Sequence, residues 1–393
     1  MTAQRLYVDV SILQTVPPSN MNRDDSGTPK QAVFGGARRA RVSSQAWKRA
    51  TRTHYADGVP EADRATRTKK ITELLATRLR DGEGLAEEPA DRLAAALVAS
   101  LEIKKSAKKD DQSAYLLFFG KPQLDNIIGL VKGRAQEFAE LDADELKRRV
   151  AELPVAEQLR KGHPAEVALF GRMVADLPSL NVDASVQVAH AISTHQVQNE
   201  FDYYTAVDDE NEGKKDENEG KKRDKEDTGA GMIGTVEFNS ATLYRYATLG
   251  VHQLLENLSD AEATADTAAG FLDSFARSIP SGHQNSFAHR TVPHLVLVTL
   301  RTDQPVNLVG AFEEPVRSRD GIADTSVLRL AEELTETAET WGIAPALTLA
   351  TYGAAGDAQD KAEAAFGPSI RFPQLIERVR GAVSGWLATG EVR

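Results

Sequence analysis

The chain has 393 residues, 41% of them hydrophobic and 27% charged, with a formal net charge of −11. That length holds two or three core-bearing units, and zero cysteines excludes disulfides, thiolate zinc sites and cysteine nucleophiles together. No apolar run reaches the ~20 residues of a membrane span, and the N-terminus lacks the apolar stretch of a secretory signal, so a cytoplasmic protein with no membrane partner is expected.

Leu6, Val8, Val10 and Ile12 alternate with Tyr7, Asp9 and Ser11, which predicts a strand over 5–13. Thr15–Arg41 is polar, punctuated by Pro and Gly and without a period, so it is expected as a loop. Between Lys30 and Arg52 stand seven basic residues and no acid. Residues 1–80 carry +8, leaving −19 for the other 313. A local cationic surface on an anionic chain points to a polyanion held at one place. Ser43 or Ser44 caps a helix predicted to run to about Tyr55. Within it Gln45, Lys48, Arg49 and Arg52 share one face, and Trp47, Ala50 and His54 the opposite one. Gly35 and Gly36 allow close approach of backbone to phosphate, and the helix N-terminus adds free N–H groups. The hydroxyl of Ser43 or Ser44 either caps the helix or bonds a phosphate.

Residues 64–180 read as mostly helical, with helices at Thr72–Arg80, Asp91–Leu101, Leu124–Phe138 and Ala143–Val150 and an apolar run at Tyr115–Phe119. A strand follows at 185–193. Asp-Glu-Asn-Glu-Gly-Lys-Lys at 209–215 repeats unchanged at 216–222, and no apolar residue stands between Asp208 and Asp227. Such a tract cannot build a core and is expected to be mobile. Strand character returns at Thr235–Tyr246, followed by a helix at Ala261–Ser278 and a strand at His294–Leu300. Further helices are predicted near Thr325–Thr340 and Phe372–Trp386, with a short strand near Leu347–Tyr352. Without its insertions the order is β-α-β-β-α-β, the split βαβ of ferredoxin-like folds and many RNA-binding modules. The aromatic pattern of an ordinary RNA-recognition motif is not readable in the third strand.

Gly229–Gly234 spells G-x-G-x-x-G, but a charged repeat precedes it and a strand follows, which is the wrong context for a dinucleotide site. His190, His195, His283, His289 and His294 read as structural histidines, and neither a metal nor any other cofactor is implied. Gly282–Phe287 is a donor-rich loop suited to RNA, to a neighbouring subunit or to a simple turn.

Three stretches resemble the CasC backbone subunit of type I-E CRISPR Cascade: Pro18–Asp25 with Lys30, Phe34-Gly35-Gly36, and Arg41–Arg49. A second block agrees: Val188–His195, Tyr204–Asp209, Gly234-Thr235 and Tyr244-Arg245-Tyr246. The resemblance implies an α+β protein with a modified ferredoxin-like (RRM-like) palm, a helical fingers insertion and a hairpin thumb. Mapped here, the palm takes residues 1–60, 181–202 and 239–393, the last with C-terminal helices. The fingers take 61–180 and the thumb 203–238, with the mobile tract at 208–228. It further implies a non-enzymatic role in antiviral defence. Copies polymerise along a CRISPR guide RNA beside other Cascade subunits and present it to target DNA. By motif position Arg23, Lys30, Ser43, Gln45, Lys48 and Arg52 hold the guide backbone. Charge and helix face add Asn22, Arg41 and Arg49. Met232, Ile233 and Phe238 are candidates for the thumb residue that wedges between nucleotides. Two rivals stand beside this reading. One is a ferredoxin-like endoribonuclease processing CRISPR RNA through His283 and His289. The other is a duplex-DNA regulator, disfavoured because no partner helix precedes helix 44–56.

Overall fold

Alternation along the first strand forces a choice of faces, and in the computed structural model both faces are covered. Residues 4–101, 103, 113–207, 230–319 and 321–392 are described. Strand β1 (Tyr7–Ser19) continues six residues past its predicted end. The segment expected as a loop folds instead as a hairpin of β2 (Gln31–Phe34) and β3 (Ala37–Val42). Its turn is Gly35-Gly36, at φ +57° and +70°, the left-handed pair that a tight two-residue hairpin requires. Glycine spacing for a turn resembles glycine spacing for a phosphate loop, which is why composition alone misled here.

After β3 comes α1 (Ser44–Asp57), close to its predicted span. A helical unit follows: β4 (Ala65–Thr68), α2 (Ile71–Glu83), α3 (Glu87–Ala99), β5 (Leu117–Gly120), α4 (Lys121–Gly129), α5 (Ala135–Glu140), α6 (Ala143–Ala151), α7 (Val155–Arg160) and α8 (Ala165–Phe170). The single helix expected at 124–138 is two, because the chain turns through Gly133 at φ +70°. One apolar cluster, built only from residues between Ile71 and Leu180, fills this unit.

The strand expected at 185–193 is also two, β6 (Val186–Val188) and β7 (Ala191–Ser193). Both pair with the long β9 (Ala230–Gly250). Strand β8 (Glu200–Val207) pairs antiparallel with the first part of β9, Glu200 opposite Phe238 and Thr205 opposite Ile233, as a two-stranded ribbon. The tract 208–228 lies outside the described residues. Then come α9 (Val251–Leu258), α10 (Ala261–Arg277), α11 (Gln284–Phe287), β10 (Leu295–Arg301), α12 (Ile322–Trp341), β11 (Leu347–Tyr352), α13 (Asp357–Phe366) and α14 (Phe372–Thr389).

The main sheet is antiparallel, in the order β11-β10-β1-β9-β7-β3-β2. Val8, Val10 and Ile12 of β1 pack with α9, α10 and α14 in one cluster, while Leu13 joins Tyr244, Tyr246 and α12 in another. The polar phase of β1 is therefore buried as well. Asp9 is 2% exposed. It accepts from Tyr246 Oη at 3.0 Å and from the Val306 amide at 2.8 Å, and Arg301 Nε stands 3.4 Å away. Burial pushes its carboxyl pKa up, against those bonds and the arginine.

Candidate nucleic-acid interface

A smaller cluster seats α1: Val16, Val42, Trp47, Ala191, Val197, Leu243 and Ile279. Trp47 is wholly buried, and the Arg245 guanidinium stacks 3.7 Å over its ring. That anchor fixes which helix residues turn outward. Ser43 is the N-cap, its hydroxyl accepting from the Ala46 amide at 3.3 Å, so the choice between cap and phosphate contact goes to the cap. Asn22 Oδ1 accepts from the Ser43 amide at 2.8 Å. The Lys30 amide donates to the Asn22 carbonyl and the Arg41 amide to the Lys30 carbonyl, both at 2.9 Å. Asp24 Oδ1 accepts from Ser26 and Thr28 amides and closes the intervening turn. Asn22, Lys30, Arg41 and Ser43, distant in sequence, thus form one hydrogen-bonded staple at the start of α1.

Beside it opens a groove of about 680 Å³, whose lining includes Asn22, Ser43, Gln45, Arg49, Gly282 and Arg290. The cationic face of α1 divides. Gln45 and Arg49 are exposed and line the groove. Arg52 instead lies 5.6 Å from the Phe118 ring centroid, with Arg67 4.7 Å from the same centroid on β4. Burial, then Arg67, lowers the Arg52 pKa, and Glu166 opposes this. Partial burial lowers that of Lys48. At the staple, burial followed by Arg41 and Lys30 lowers the His190 pKa. His190 Nδ1 is 3.2 Å from Arg41 Nη1 and 3.4 Å from the Ser44 amide, so it takes up one of the helix's free N–H groups. Among the described residues, no ion pair neutralises a cation of the 30–52 run. Like charges crowd each other there, a cost that a bound anion relieves.

Not every basic residue of that run faces out. Arg39 is buried, and its guanidinium donates to the carbonyls of Phe34, Ser193, Thr194, Phe312 and Glu313 at 2.9–3.3 Å. It joins the hairpin to the sheet and is not available to a ligand. Arg23 is exposed and reaches His283. Phe238 is half-buried against Phe287, ring centroids 5.9 Å apart. Met232 and Ile233 are described as backbone only, opposite Ala206 and Thr205. His289 is 1% exposed, with Nε2 2.9 Å from the Pro280 carbonyl. His195 Nε2 accepts from the Thr242 amide, and His294 meets Asp324 at 2.9 Å. Arg290 is a cation of the groove that sequence reasoning missed. Its only signal was adjacency to the donor-rich 282–287 loop.

Residues 8–378 match the family described as CT1975-like protein. The chain belongs to that family. Among solved structures, this CT1975-like chain is similar to a subunit of a "CRISPR RNA-guided surveillance complex, pre-nicking", with 31% identity and a TM-score of 0.78 over 96% of this chain and 100% of that one. It is also similar to a chain of a "CRISPR RNA-guided surveillance complex", with 28% identity and a TM-score of 0.71 over 96% and 99%. No curated protein matches it.

Proposed function

We propose that this chain is a non-catalytic guide-binding backbone subunit of a Cascade-type surveillance complex, of the type I-E kind. Successive copies line a CRISPR RNA, beside other subunits, and present it for pairing with target DNA in antiviral defence. The observation that carries the reading is the groove beside α1. There a backbone staple, a helix N-terminus, Gln45, Arg49 and Arg290 meet, with Asp57 the one acid among the lining residues, and among the described residues no ion pair neutralises a cation of the 30–52 run. Such contacts grip phosphate and ribose without reading bases, so any guide sequence fits, and pairing supplies specificity.

The order β10-β1-β9-β7 at the middle of the sheet supports a ferredoxin-like palm. The separate core of 71–180 supports a fingers unit. The β8–β9 ribbon, with Phe201, Tyr203 and Tyr204 exposed along one strand, supports a thumb that meets RNA or the next copy. Burial of His289 argues against the endoribonuclease alternative, which needs a ring nitrogen of that histidine within reach of the substrate.

The test is a salt titration of binding to single-stranded RNA. Replacing Arg49 and Arg290, the cations of the groove, by glutamine weakens binding and flattens the log–log slope by roughly 0.7 per lost phosphate contact. An unchanged slope removes those two residues from the interface. Cleavage of repeat RNA by the purified protein defeats the non-catalytic assignment.

A further inference from the structure

Arg23 extends from a loop on the protein surface, where a free guanidinium would sample many rotamers and lose them all on binding. It is not free here. Its Nη1 stands 2.6 Å from His283 Nε2, across 260 residues of sequence. Arginine has only donors, so that imidazole nitrogen is the acceptor and the ring proton sits on Nδ1. His283 is itself braced. Its ring stacks on Phe287, with centroids 6.3 Å apart and planes 12° apart. Phe287 in turn packs on Phe238, at the foot of the β8–β9 ribbon.

Two further observations join the same loops. A side chain at Gly282 would bring its Cβ within 2.4 Å of the Met21 carbonyl oxygen, so the 20–23 and 281–287 segments are in backbone contact. Thr28 Oγ1 donates to Glu237 Oε1 at 3.1 Å, tying the Arg23 loop to the residue before Phe238. His283 also holds a left-handed backbone, φ +50°, a conformation non-glycine residues keep only when their surroundings impose it.

We propose that His283 is a positioning residue for guide RNA. It fixes the Arg23 guanidinium toward a phosphate beside the groove, and Phe287 and Phe238 link that orientation to the ribbon. The inference rests on the guide-binding reading above. Asn22 and Gly282, the sequence neighbours of Arg23 and His283, both line the groove, so a phosphate lying there is close to the pair. The same arrangement gives Phe238 a role other than intercalation, as the brace of the histidine.

A double-mutant cycle on the full chain, with an unstructured single-stranded RNA oligonucleotide as probe, tests this. His283→Asn suits the left-handed backbone but is too short to reach Arg23. It is expected to weaken RNA binding about tenfold, to reduce the salt slope by about 0.7, and to have no further effect in an Arg23→Ala background. Phe287→Leu, which keeps apolar bulk but loses the stack, is expected to give a smaller loss that also vanishes without Arg23. Thermal melts of each variant separate these losses from unfolding. If the effects of His283→Asn and Arg23→Ala multiply, or if His283→Asn leaves the salt slope intact, the positioning role is overturned. Failure of the unmodified chain to bind RNA at all strikes the guide-binding reading instead.

Discussion

Gly35 shows how much one residue decides. Its φ is positive, and an added Cβ would lie 1.6 Å from the Glu313 carbonyl oxygen, an overlap that only movement of backbone relieves. Gly36, next to it and also at positive φ, faces open space. Gly36→Ala is therefore expected to cost only the left-handed penalty of about 1–2 kcal/mol. Gly35→Ala is expected to cost clearly more, by displacing the hairpin from the 312–313 segment. Denaturant melts of the two variants check the order, and equal losses would refute the close approach. Arg39 holds the same junction from the other side. Its neighbours Arg38 and Arg41 carry the same charge, and nothing in the local pattern marks the middle one as buried. Five carbonyls, four of them more than 150 residues away, made that choice. Charge counting found the basic run; it could not say which members point outward.

At the scale of an element, α1 was legible because its signals are local. A serine cap, an apolar tryptophan and cations at helical spacing are enough to start, orient and colour a helix. What they left open was the role of Ser43, and the cap geometry separates two otherwise confounded effects. Ser43→Ala is expected to destabilise by about 1 kcal/mol through the lost cap. Ser43→Asp keeps a capping oxygen, so its stability should stay near that of the parent. Its added charge at the groove should nevertheless weaken RNA binding. A melt and an RNA titration on both variants decide this, and full affinity in Ser43→Asp would place the phosphate path elsewhere. The division of the stripe, with Arg49 at the groove and Arg52 over Phe118, was not legible. Helical spacing gives a face, but the 61–180 insertion folds back to cover part of it. The β2–β3 hairpin was missed for a related reason. Its strands are short, β2 spans four residues and β3 is rich in arginine, so no apolar alternation announces them; pairing of Arg41-Val42 with β7 and the carbonyl bonds of Arg39 secure them.

Across the whole molecule, the helical unit has its own core and its own sensitivity to acid. His163 is partly buried, and burial with nearby Arg172 pulls its pKa down to about 4, against a backbone hydrogen bond at Arg160. Between that value and the ordinary 6.5 the unfolded chain binds the proton and the folded chain does not, so stability falls as pH drops through this window. Acid is expected to loosen the 71–180 unit, seen as protection factors of its helices (exchange corrected for the intrinsic pH dependence of amide exchange) falling below pH 6.5, and His163→Phe is expected to remove most of that fall. Protection factors that do not change between pH 7 and 4.5 would contradict it. The amino-acid sequence by itself determined the secondary elements that carry strong periodicity, the start of α1 at its serine pair and the place where positive charge gathers, because each depends on residues a few positions apart. Only the tertiary structure decided which cations are buried and which face the groove, and that Arg23 is held by a histidine 260 residues later. Those outcomes depend on which carbonyls, rings and backbone atoms long-range packing brings within hydrogen-bond distance, and no short stretch of sequence contains that information.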